Sequence, residues 1–252
     1  MLALALLALG LARIVSLAPA LTEDLFAIGA GSSVVGVDAY SSRPAAARRL
    51  PRVGGLREVN AEAVLALHPD LVVGIPYEAP HLADLERAGL RTRTLRLDSL
   101  DDDFEAIRVL GALTGRDEAA RALVGEIRAR LAATSRRAAE HPRRTAFVVL
   151  GSGRTAGRGS YIDQLLGLAN LENVAHDDTL WPTYSPEQLL VEQPDVIVVA
   201  DPGPPLTGEP WQRLAAVRAG RIVRIPEDDL LRPGPRVADV LDALVSEARP
   251  WR

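Results

Sequence analysis

Three aromatic side chains that follow predicted strands or lie in loops are the first candidates for chemistry in this chain. Tyr40 comes after the apolar segment 34–37, Tyr77 comes after the apolar segment 71–74, and Trp181 lies in a polar loop. The chain has only three Trp, four Tyr and three Phe residues, so aromatic residues in these loops are notable. Open parallel sheets bind ligands at the carboxyl ends of their strands, and Tyr and Trp combine a large apolar face with a polar group. The three residues are therefore candidates for contacts with a ligand.

Catalytic motifs are missing from the chain. It has no cysteine, no Gly-x-Ser-x-Gly elbow and no His-x-x-x-His pair, and Ser152 between two glycines is only a weak imitation of an elbow. Two of the four histidines precede a proline and a third begins a predicted helix. His176, beside Asp177 and Asp178, is the one with neighbours suited to a metal. We therefore expect no catalytic residue, no resident cofactor and no bound metal; a hydrolase is the least favoured alternative.

The composition excludes two further kinds of function. A net charge of -4 with interspersed signs provides no basic stripe for nucleic acid. The chain contains no lysine, which excludes a Schiff-base lysine and the lysine of a P-loop. With 252 residues, 48% of them hydrophobic, the chain has room for two α/β lobes.

One segment of the chain occurs twice. Residues 60–73 recur in similar form as residues 185–198. In each copy an N-cap residue, Asn60 or Ser185, opens a short helix with an acid in its first turn, and a Pro-Asp pair leads into a buried strand. Two copies predict two similar lobes. A cleft between two lobes is a common place for a small ligand.

Strands and helices alternate on both sides of a helical middle. Such alternation with short connections predicts parallel sheets. Residues 101–141 show no strand pattern, and apolar residues at helical spacing predict one long helix over 117–140, about 35 Å long. We therefore predict an α/β fold of two Rossmann-like lobes, residues 13–100 and 142–252, joined by a long backbone helix, with the ligand cleft between them.

The predicted strands cover residues 13–17, 34–37, 71–74, 93–97, 145–150, 196–200 and 221–225. The shorter predicted helices begin at or beside Thr22, Asn60, Leu82, Asp102, Tyr161, Ser185 and Pro235.

Residues 1–12 form an apolar run of Leu and Ala that ends in small residues, as a signal peptidase requires. The run lacks the positive charges that usually begin such a signal, and it is shorter than the roughly 20 residues needed to cross a bilayer. We expect it to be an export signal, which places the mature protein in the periplasm or on the extracytoplasmic face.

Taken together, the motifs resemble a known family. They are Ile14–Glu23, Val35–Tyr40, Val53–Gly55, Asn60 with Glu62, Pro69–Val73, and Trp181 with Ser185 and Glu187. In this order and spacing they resemble the helical-backbone (class III) periplasmic substrate-binding proteins of ABC importers, above all the cobalamin-binding members. The similarity covers the chain from Arg13 to the last predicted helix. It implies a monomeric receptor that captures a small molecule between its lobes and delivers it to the permease subunits without doing chemistry on it.

The resemblance also implies contacts with the permease. In cobalamin receptors of this kind, one surface glutamate on each lobe meets arginines of the permease subunits. Glu78 and Glu209, each in the loop after the strand of one repeat copy, are the matching positions.

Polar contacts with the ligand are implied near the last helix. In the family this loop reaches the cleft, so Asp229, Arg232 and Arg236 are the expected contacts. A structural alternative for Arg236 is an ion pair with Asp239 on its own helix face.

Members of the family carry cobalamin, haem, ferric siderophores or metal ions on one architecture. The resemblance favours cobalamin or a related corrinoid, with Tyr40, Tyr77 and Trp181 as walls for the flat ring. Haem or a ferric siderophore is the alternative. Haem would need one axial His or Tyr, for which His176, Tyr40 and Tyr77 are candidates.

The glycine-rich segment 151–160 fits neither the P-loop nor the dinucleotide-binding spacing. In the family it is a cleft loop of the second lobe, so we do not expect it to bind a nucleotide. Tyr161, which follows it, and Tyr184 are expected to be helix-cap or core residues.

Overall fold

The computed structural model describes residues 13–55, 58–151 and 153–248. The chain divides into two compact units. The first runs to Leu97 and resumes over Asp101–Glu126, and the second consists of Asp98–Leu100 and the chain from Ile127 onwards. The predicted export signal, residues 1–12, and Ser152 lie outside the described residues.

The first unit contains six strands, which are β1 (Ile14–Ser16), β2 (Val34–Val37), β3 (Gly54–Gly55), β4 (Glu58–Val59), β5 (Leu71–Gly74) and β6 (Thr92–Thr94) among its described residues. Four of them form a parallel sheet in the order β2-β1-β5-β6. The other two form a short antiparallel hairpin, β3-β4, which follows β2 in the chain. The helices of this part of the chain are α1 (Pro19–Ala27), α2 (Ala61–Ala66), α3 (Ala79–Arg87) and α4 (Leu100–Thr114).

The second unit repeats this plan. Its parallel sheet has the order β8-β7-β9-β10, so that β7, β8, β9 and β10 take the places of β1, β2, β5 and β6. The strands are β7 (Arg144–Val149), β8 (Leu171–Asn173), β9 (Val196–Asp201) and β10 (Ile222–Pro226). The helices are α6 (Tyr161–Leu168), α7 (Pro186–Glu192), α8 (Ala215–Arg218), α9 (Glu227–Leu230) and α10 (Val237–Ala248). The prediction of two similar α/β lobes with parallel sheets is confirmed.

The helix starts of the two repeat copies are capped as their residue types require. Asn60 Oδ1 accepts the N–H of Ala63 at 2.9 Å, which satisfies one of the free donors at the start of α2. At the start of α7, Ser185 Oγ accepts the N–H of Gln188 at 3.3 Å, and Gln188 Oε1 accepts the N–H of Ser185 at 2.8 Å. This reciprocal pair is a capping box.

The two copies also end alike. His68 and Gln193 each adopt a left-handed backbone, with φ of 43° and 46°, and this residue turns the chain from helix to strand. Asp70 then accepts the N–H of Arg13 at 2.7 Å, and Asp195 accepts the N–H of Thr145 at 2.9 Å. In both units the aspartate therefore ties the start of the repeat strand to the start of the neighbouring strand.

Each repeat helix packs a buried aliphatic residue into the core of its unit. Val64 of α2 packs in a cluster with Val15 and Val72 of the sheet, and Leu189 of α7 packs with Ile197 and others in the second unit. Val64 is 0% and Leu189 is 1% exposed. Burial of such an aliphatic side chain contributes about 1.5–3 kcal/mol, and the partly buried Ala63 and Leu190 also pack against the two clusters.

The long helix α5 (Asp117–Ala138) has 22 residues, which corresponds to about 33 Å. Its buried residues include Ala120, Val124, Ile127 and Leu131, at the predicted helical spacing, and also Thr134 and Ala138. The boundary between the two units falls inside it, after Glu126. The prediction of one long helix that carries the chain from the first unit into the second is confirmed.

Several elements differ from the prediction, among them one helix start and two strands. The first helix starts at Pro19 rather than Thr22, because a proline at the first helical position is preset for the helix. Strand β6 covers Thr92–Thr94 rather than 93–97, since its partner β5 ends at Gly74. Strand β8, an edge strand whose central residue is an exposed Glu172, is missing from the prediction because its pattern is weakly apolar. In the described part of the chain, no helix combines the length and apolar composition needed to cross a bilayer.

Candidate ligand-binding site

The loop that carries Tyr40 is held by a buried cluster of hydroxyl groups. Asp38, the residue after β2, accepts the N–H of Tyr40 at 2.8 Å and the hydroxyl of Ser41. The Thr22 hydroxyl lies 2.9 Å from both Ser41 Oγ and Ser16 Oγ. Ser16, Thr22 and Ser41 are fully buried, so the cluster fixes the loop to the carboxyl end of β1.

The ring of Tyr40 is 52% exposed and lies against the β3-β4 hairpin. A Cβ at Gly55 would be 3.2 Å from Tyr40 Cε2, so the absence of a side chain at Gly55 lets the ring lie this close to the backbone. The Arg52 guanidinium donates to the carbonyl groups of Asp38 and Ser41, both at 2.8 Å. The loop thus presents an exposed aromatic face on a fixed backbone.

Tyr77 lies in a tight turn directly after β5. The turn is a single 3-10 segment, Pro76–Glu78, and the Tyr77 side chain is 61% exposed. Because β5 and β2 flank β1 in the same parallel sheet, Tyr77 and Tyr40 follow the carboxyl ends of two strands at one sheet edge. This is the edge at which such sheets bind ligands.

Glu78 does not have the surface position predicted for a docking residue. Its side chain is fully buried, and its Oε2 accepts the N–H of Ile75 at 2.8 Å. Among the described residues its Oε1 has no hydrogen-bond partner. The expectation of a surface glutamate at this position is wrong, because the carboxyl group turns inward and closes the turn of its own chain.

The environment of Glu78 raises its pKa from the ordinary value of 4.5 to about 7. Burial removes water from the carboxyl group and is the largest cause, and the negative charge of Asp38 acts in the same direction. Backbone hydrogen bonds from Ile75 and Glu78 oppose it.

In the second unit, the ring of Trp181 packs against the ring of Tyr161. The two ring centroids are 5.8 Å apart and the rings meet edge to face at 62°. Tyr161 is 3% exposed and donates its hydroxyl to the carbonyl of Leu230 at 2.9 Å. The prediction of a core role for Tyr161 is therefore confirmed, and the residue also links the Trp181 loop to the segment that begins with Asp229.

The glycine-rich segment 151–160 holds the Trp181 loop by backbone hydrogen bonds. Gly157 N–H donates to the carbonyl of Leu180 at 2.9 Å, and Thr155 N–H donates to the carbonyl of Pro182 at 3.0 Å, on either side of Trp181. A Cβ at Gly157 would collide with the carbonyl oxygen of Thr179. A glycine is therefore needed here because two backbone segments lie close together, and not because the loop binds a phosphate.

Tyr184 lies near the end of the same loop. Its ring centroid is 5.1 Å from that of Phe147, and it packs against the apolar core of the second unit. Burial raises its pKa above the ordinary value. The prediction of a packing role for Tyr184 is confirmed.

The segment before α10 is organised by ion pairs within the second unit. Asp229 pairs with Arg236, and Asp228 pairs with Arg232 at 2.5 Å. The side chain of Arg232 is 13% exposed. The alternative pair of Arg236 with Asp239 is wrong, because Asp239 pairs instead with Arg130 of α5 at 2.6 Å.

The other two predicted residues of the second unit are exposed. The Glu209 side chain is 70% exposed, and its nearest basic group is Arg213 at 3.9 Å, a weak surface pair. His176 is exposed as well. Within the described ranges, no three His, Asp or Glu side chains form a group that could hold a metal ion.

The comparisons with known proteins decide the family. The model of the family described as "Periplasmic binding protein" matches residues 14–228, which include Tyr40, Tyr77 and Trp181. The chain belongs to this periplasmic binding protein family. The resemblance seen in the sequence motifs is thereby confirmed.

One relative of this periplasmic binding protein is the vitamin B12-binding protein of Vibrio cholerae. The two are 30% identical over 239 residues, or 91% of this chain and 86% of the relative. The crystal structure of the periplasmic vitamin B12-binding protein BtuF of Vibrio cholerae matches with a TM-score of 0.83 and 28% identity, over 95% of this chain and 97% of that chain.

A haem-binding protein of known structure is about as similar to this chain as the vitamin B12-binding protein is. A periplasmic haem-binding protein from Pseudomonas aeruginosa matches with a TM-score of 0.80 and 31% identity, over 95% of this chain and 93% of that chain. The overall similarity of this periplasmic binding protein to the two kinds of structure is therefore nearly equal. The fold alone therefore does not distinguish the two ligands.

Proposed function

We propose that this protein captures cobalamin or a related corrinoid outside the cytoplasm and delivers it to an ABC importer. The observation that carries the proposal is the 30% identity over 239 residues with a vitamin B12-binding protein. The protein binds its ligand as cargo, does no chemistry on it and needs no cofactor of its own.

The side chains at the sheet edges support a flat, amphipathic ligand. Tyr40 and Tyr77 are exposed aromatic rings at the carboxyl edge of the first sheet, and Trp181 is held by its contact with Tyr161 in the second unit. A corrin ring has two broad faces and a rim of amide groups. Rigid aromatic side chains suit the faces, since they offer large contact area with little loss of conformational freedom.

Asp229, Arg232 and Arg236 are the proposed polar contacts. Their ion pairs hold the groups in fixed positions, so that the remaining donor and acceptor capacity can serve amide or phosphate groups of the ligand. The pairing also lowers the cost of leaving these charges partly buried before a ligand arrives.

Delivery requires a surface that the permease can recognise. Glu209 supports this role, because its carboxylate is exposed and carries only a weak pair with Arg213. An exposed acid in a loop after β9 suits a guanidinium group of a permease subunit.

Haem is the second candidate, supported by the 31% identity with a haem-binding protein of known structure. His176, Tyr40 or Tyr77 would then supply the axial ligand to iron. Each of these side chains is exposed, as an axial ligand must be before haem arrives.

Calorimetric titration with cyanocobalamin and, separately, haem tests the proposal. We expect one-to-one binding of cyanocobalamin with micromolar affinity or better, weakened at least about tenfold by Trp181→Ala, since a buried aromatic contact of this kind is worth more than about 1.4 kcal/mol. Trp211→Ala, a tryptophan in the apolar core region of the same unit, is the matched control and should leave the affinity unchanged in folded protein. Absence of cyanocobalamin binding together with a shifted haem absorption band would reject the corrinoid in favour of haem.

A further inference from the structure

Two hydrogen bonds close the turn that presents Tyr77. Ile75 N–H donates to Glu78 Oε2 at 2.8 Å, and Glu78 N–H donates to the carbonyl of Ile75 at 3.0 Å. Only Pro76 and Tyr77 lie between the two partners. Because the bonds run in both directions across the turn, loss of the carboxyl acceptor would leave the N–H of Ile75 without its partner.

The carboxyl group of Glu78 occupies space that a glycine leaves open. An ideal Cβ at Gly74, the last residue of β5, would lie 3.5 Å from Glu78 Oε2 and 3.2 Å from Leu82 Cδ1. The side chain of Glu78 is fully buried there. A branched side chain at residue 74 would compete for this space, since protein interiors are close-packed.

We propose that Glu78 is a positioning residue, whose carboxyl oxygen holds the turn Ile75–Glu78 closed and so holds Tyr77 in place for the ligand. The inference rests on the proposed function, in which Tyr77 is a wall of the ligand site. A turn whose backbone is fixed before binding loses less conformational entropy when the ligand arrives. Glu78 thereby serves the ligand from within the fold and does not contact it.

Two variants of Glu78 separate the hydrogen-bond acceptor from the volume of the side chain. Glu78→Met keeps a side chain of similar length but removes the acceptor, whereas Glu78→Gln keeps a carbonyl oxygen for the N–H of Ile75. Both are measured by calorimetry with cyanocobalamin and by hydrogen exchange of the Ile75 amide. Glu62→Met, an exposed acid on α2 of the same unit, is the matched control.

We expect Glu78→Met to weaken cyanocobalamin binding about tenfold and to speed exchange of the Ile75 amide at least about tenfold, the scale of one lost hydrogen bond. Glu78→Gln should restore both values to within about twofold of wild type, since one acceptor replaces another. If Glu78→Gln is as impaired as Glu78→Met, or if Glu78→Met matches wild type, the proposal is overturned.

Gly74→Val provides a second route with Glu78 intact. Its methyl groups would displace the carboxyl group, so the same two effects are expected in folded protein.

If wild type binds neither cyanocobalamin nor haem, the proposed function fails on its own. Exchange of the Ile75 amide then decides the role of Glu78 in the turn: protection lost in Glu78→Met and kept in Glu78→Gln supports it, and unchanged protection overturns it.

Discussion

Asp195 and Thr145 are joined by three hydrogen bonds across the start of the second sheet. Asp195 Oδ2 accepts the N–H of Thr145 at 2.9 Å and its hydroxyl at 3.0 Å, and the N–H of Asp195 donates to Thr145 Oγ1 at 3.0 Å. Asp70 makes the matching bond to the N–H of Arg13 in the first unit. Each aspartate therefore fixes the register of two neighbouring strands where they begin.

We predict that Asp195→Ala lowers the free energy of unfolding by about 1–2 kcal/mol, because hydrogen bonds to a charged acceptor are lost at an exposed site. Denaturant unfolding followed by circular dichroism measures the change. Glu126→Ala, an exposed acid within α5, is the control and should alter the stability by less than about 0.5 kcal/mol. Equal stabilities of the two variants would contradict the anchoring role.

A second prediction concerns the network between α5 and α10. Asp242 accepts from Thr134 at 2.5 Å, from Arg137 at 2.7 Å and from Arg130 at 3.0 Å. We expect Asp242→Ala to lower the melting temperature by roughly 2–4 °C, the shift that about 1 kcal/mol produces in a chain of this size. Asp239→Ala, which loses only the pair with Arg130, should have a smaller effect.

The same network sets a pH dependence. Partial burial would raise the pKa of Asp242, but the hydrogen bonds from Thr134 and Arg130 and the charges of Arg130 and Arg137 lower it below the ordinary value. Its contribution to stability is therefore present above the unfolded pKa of about 4 and is lost as the pH falls through the folded pKa. The stability of Asp242→Asn should therefore fall less between neutral and acid pH than that of wild type. An equal fall of the two stabilities at acid pH would refute the assignment.

A third prediction concerns Glu78, whose contribution to stability changes with pH in the opposite direction to that of Asp242. The pKa of Glu78 is raised to about 7, so folding favours its protonated form. Its contribution to stability is complete below the unfolded value of about 4.5 and declines as the pH rises to about 7, by at most about 3 kcal/mol. Glu78→Gln removes the titrating group, and the stability of the variant relative to wild type should increase across this interval. A constant difference between pH 4.5 and 8 would show that Glu78 titrates normally.

A fourth prediction separates ligand binding from delivery. Glu209→Ala should leave the affinity for cyanocobalamin unchanged and reduce stimulation of the ATPase of the reconstituted importer, since its exposed carboxylate is the proposed contact with the permease. Glu192→Ala, an exposed acid at the end of α7, is the control. Full stimulation by Glu209→Ala would remove this residue from the docking surface.

A fifth prediction concerns the support of Trp181. Trp181→Phe keeps an aromatic ring against Tyr161 and should preserve most of the stability, whereas Trp181→Ala should lose about 0.5–1.5 kcal/mol from the ring pair alone. Thermal unfolding of both variants without ligand measures this difference. Equal loss in the two variants would mean that the indole ring, rather than ring contact, stabilises the loop.

Local signals explain what could be predicted from the sequence. The N-caps at Asn60 and Ser185 and the Pro-Asp pairs act within a few residues, so both repeat copies are recognisable from residue types and spacing alone. The helical spacing of α5 is likewise a local property.

The partners of charged side chains depend on residues far away in the chain. Arg236 and Asp239 have the spacing of a helix pair, yet Asp239 pairs with Arg130, 109 residues earlier. Glu78 follows a strand in a loop, which is typical of a surface acid, and its inward turn depends on the space beside Gly74. Helical and strand periods carry no information about such tertiary neighbours.

The shared anchors of the two units all lie at the amino ends of β5 and β9, where Asp70 and Asp195 follow the left-handed residues His68 and Gln193. The opposite edges differ: β5 leads into the tight Tyr77 turn, whereas β9 leads into a longer loop with Glu209. The two units thus share the construction of one sheet edge and differ at the other. Substitutions that change the ligand preference can therefore be confined to the carboxyl-edge loops, where they leave the hydrogen bonds of Asp70 and Asp195 intact.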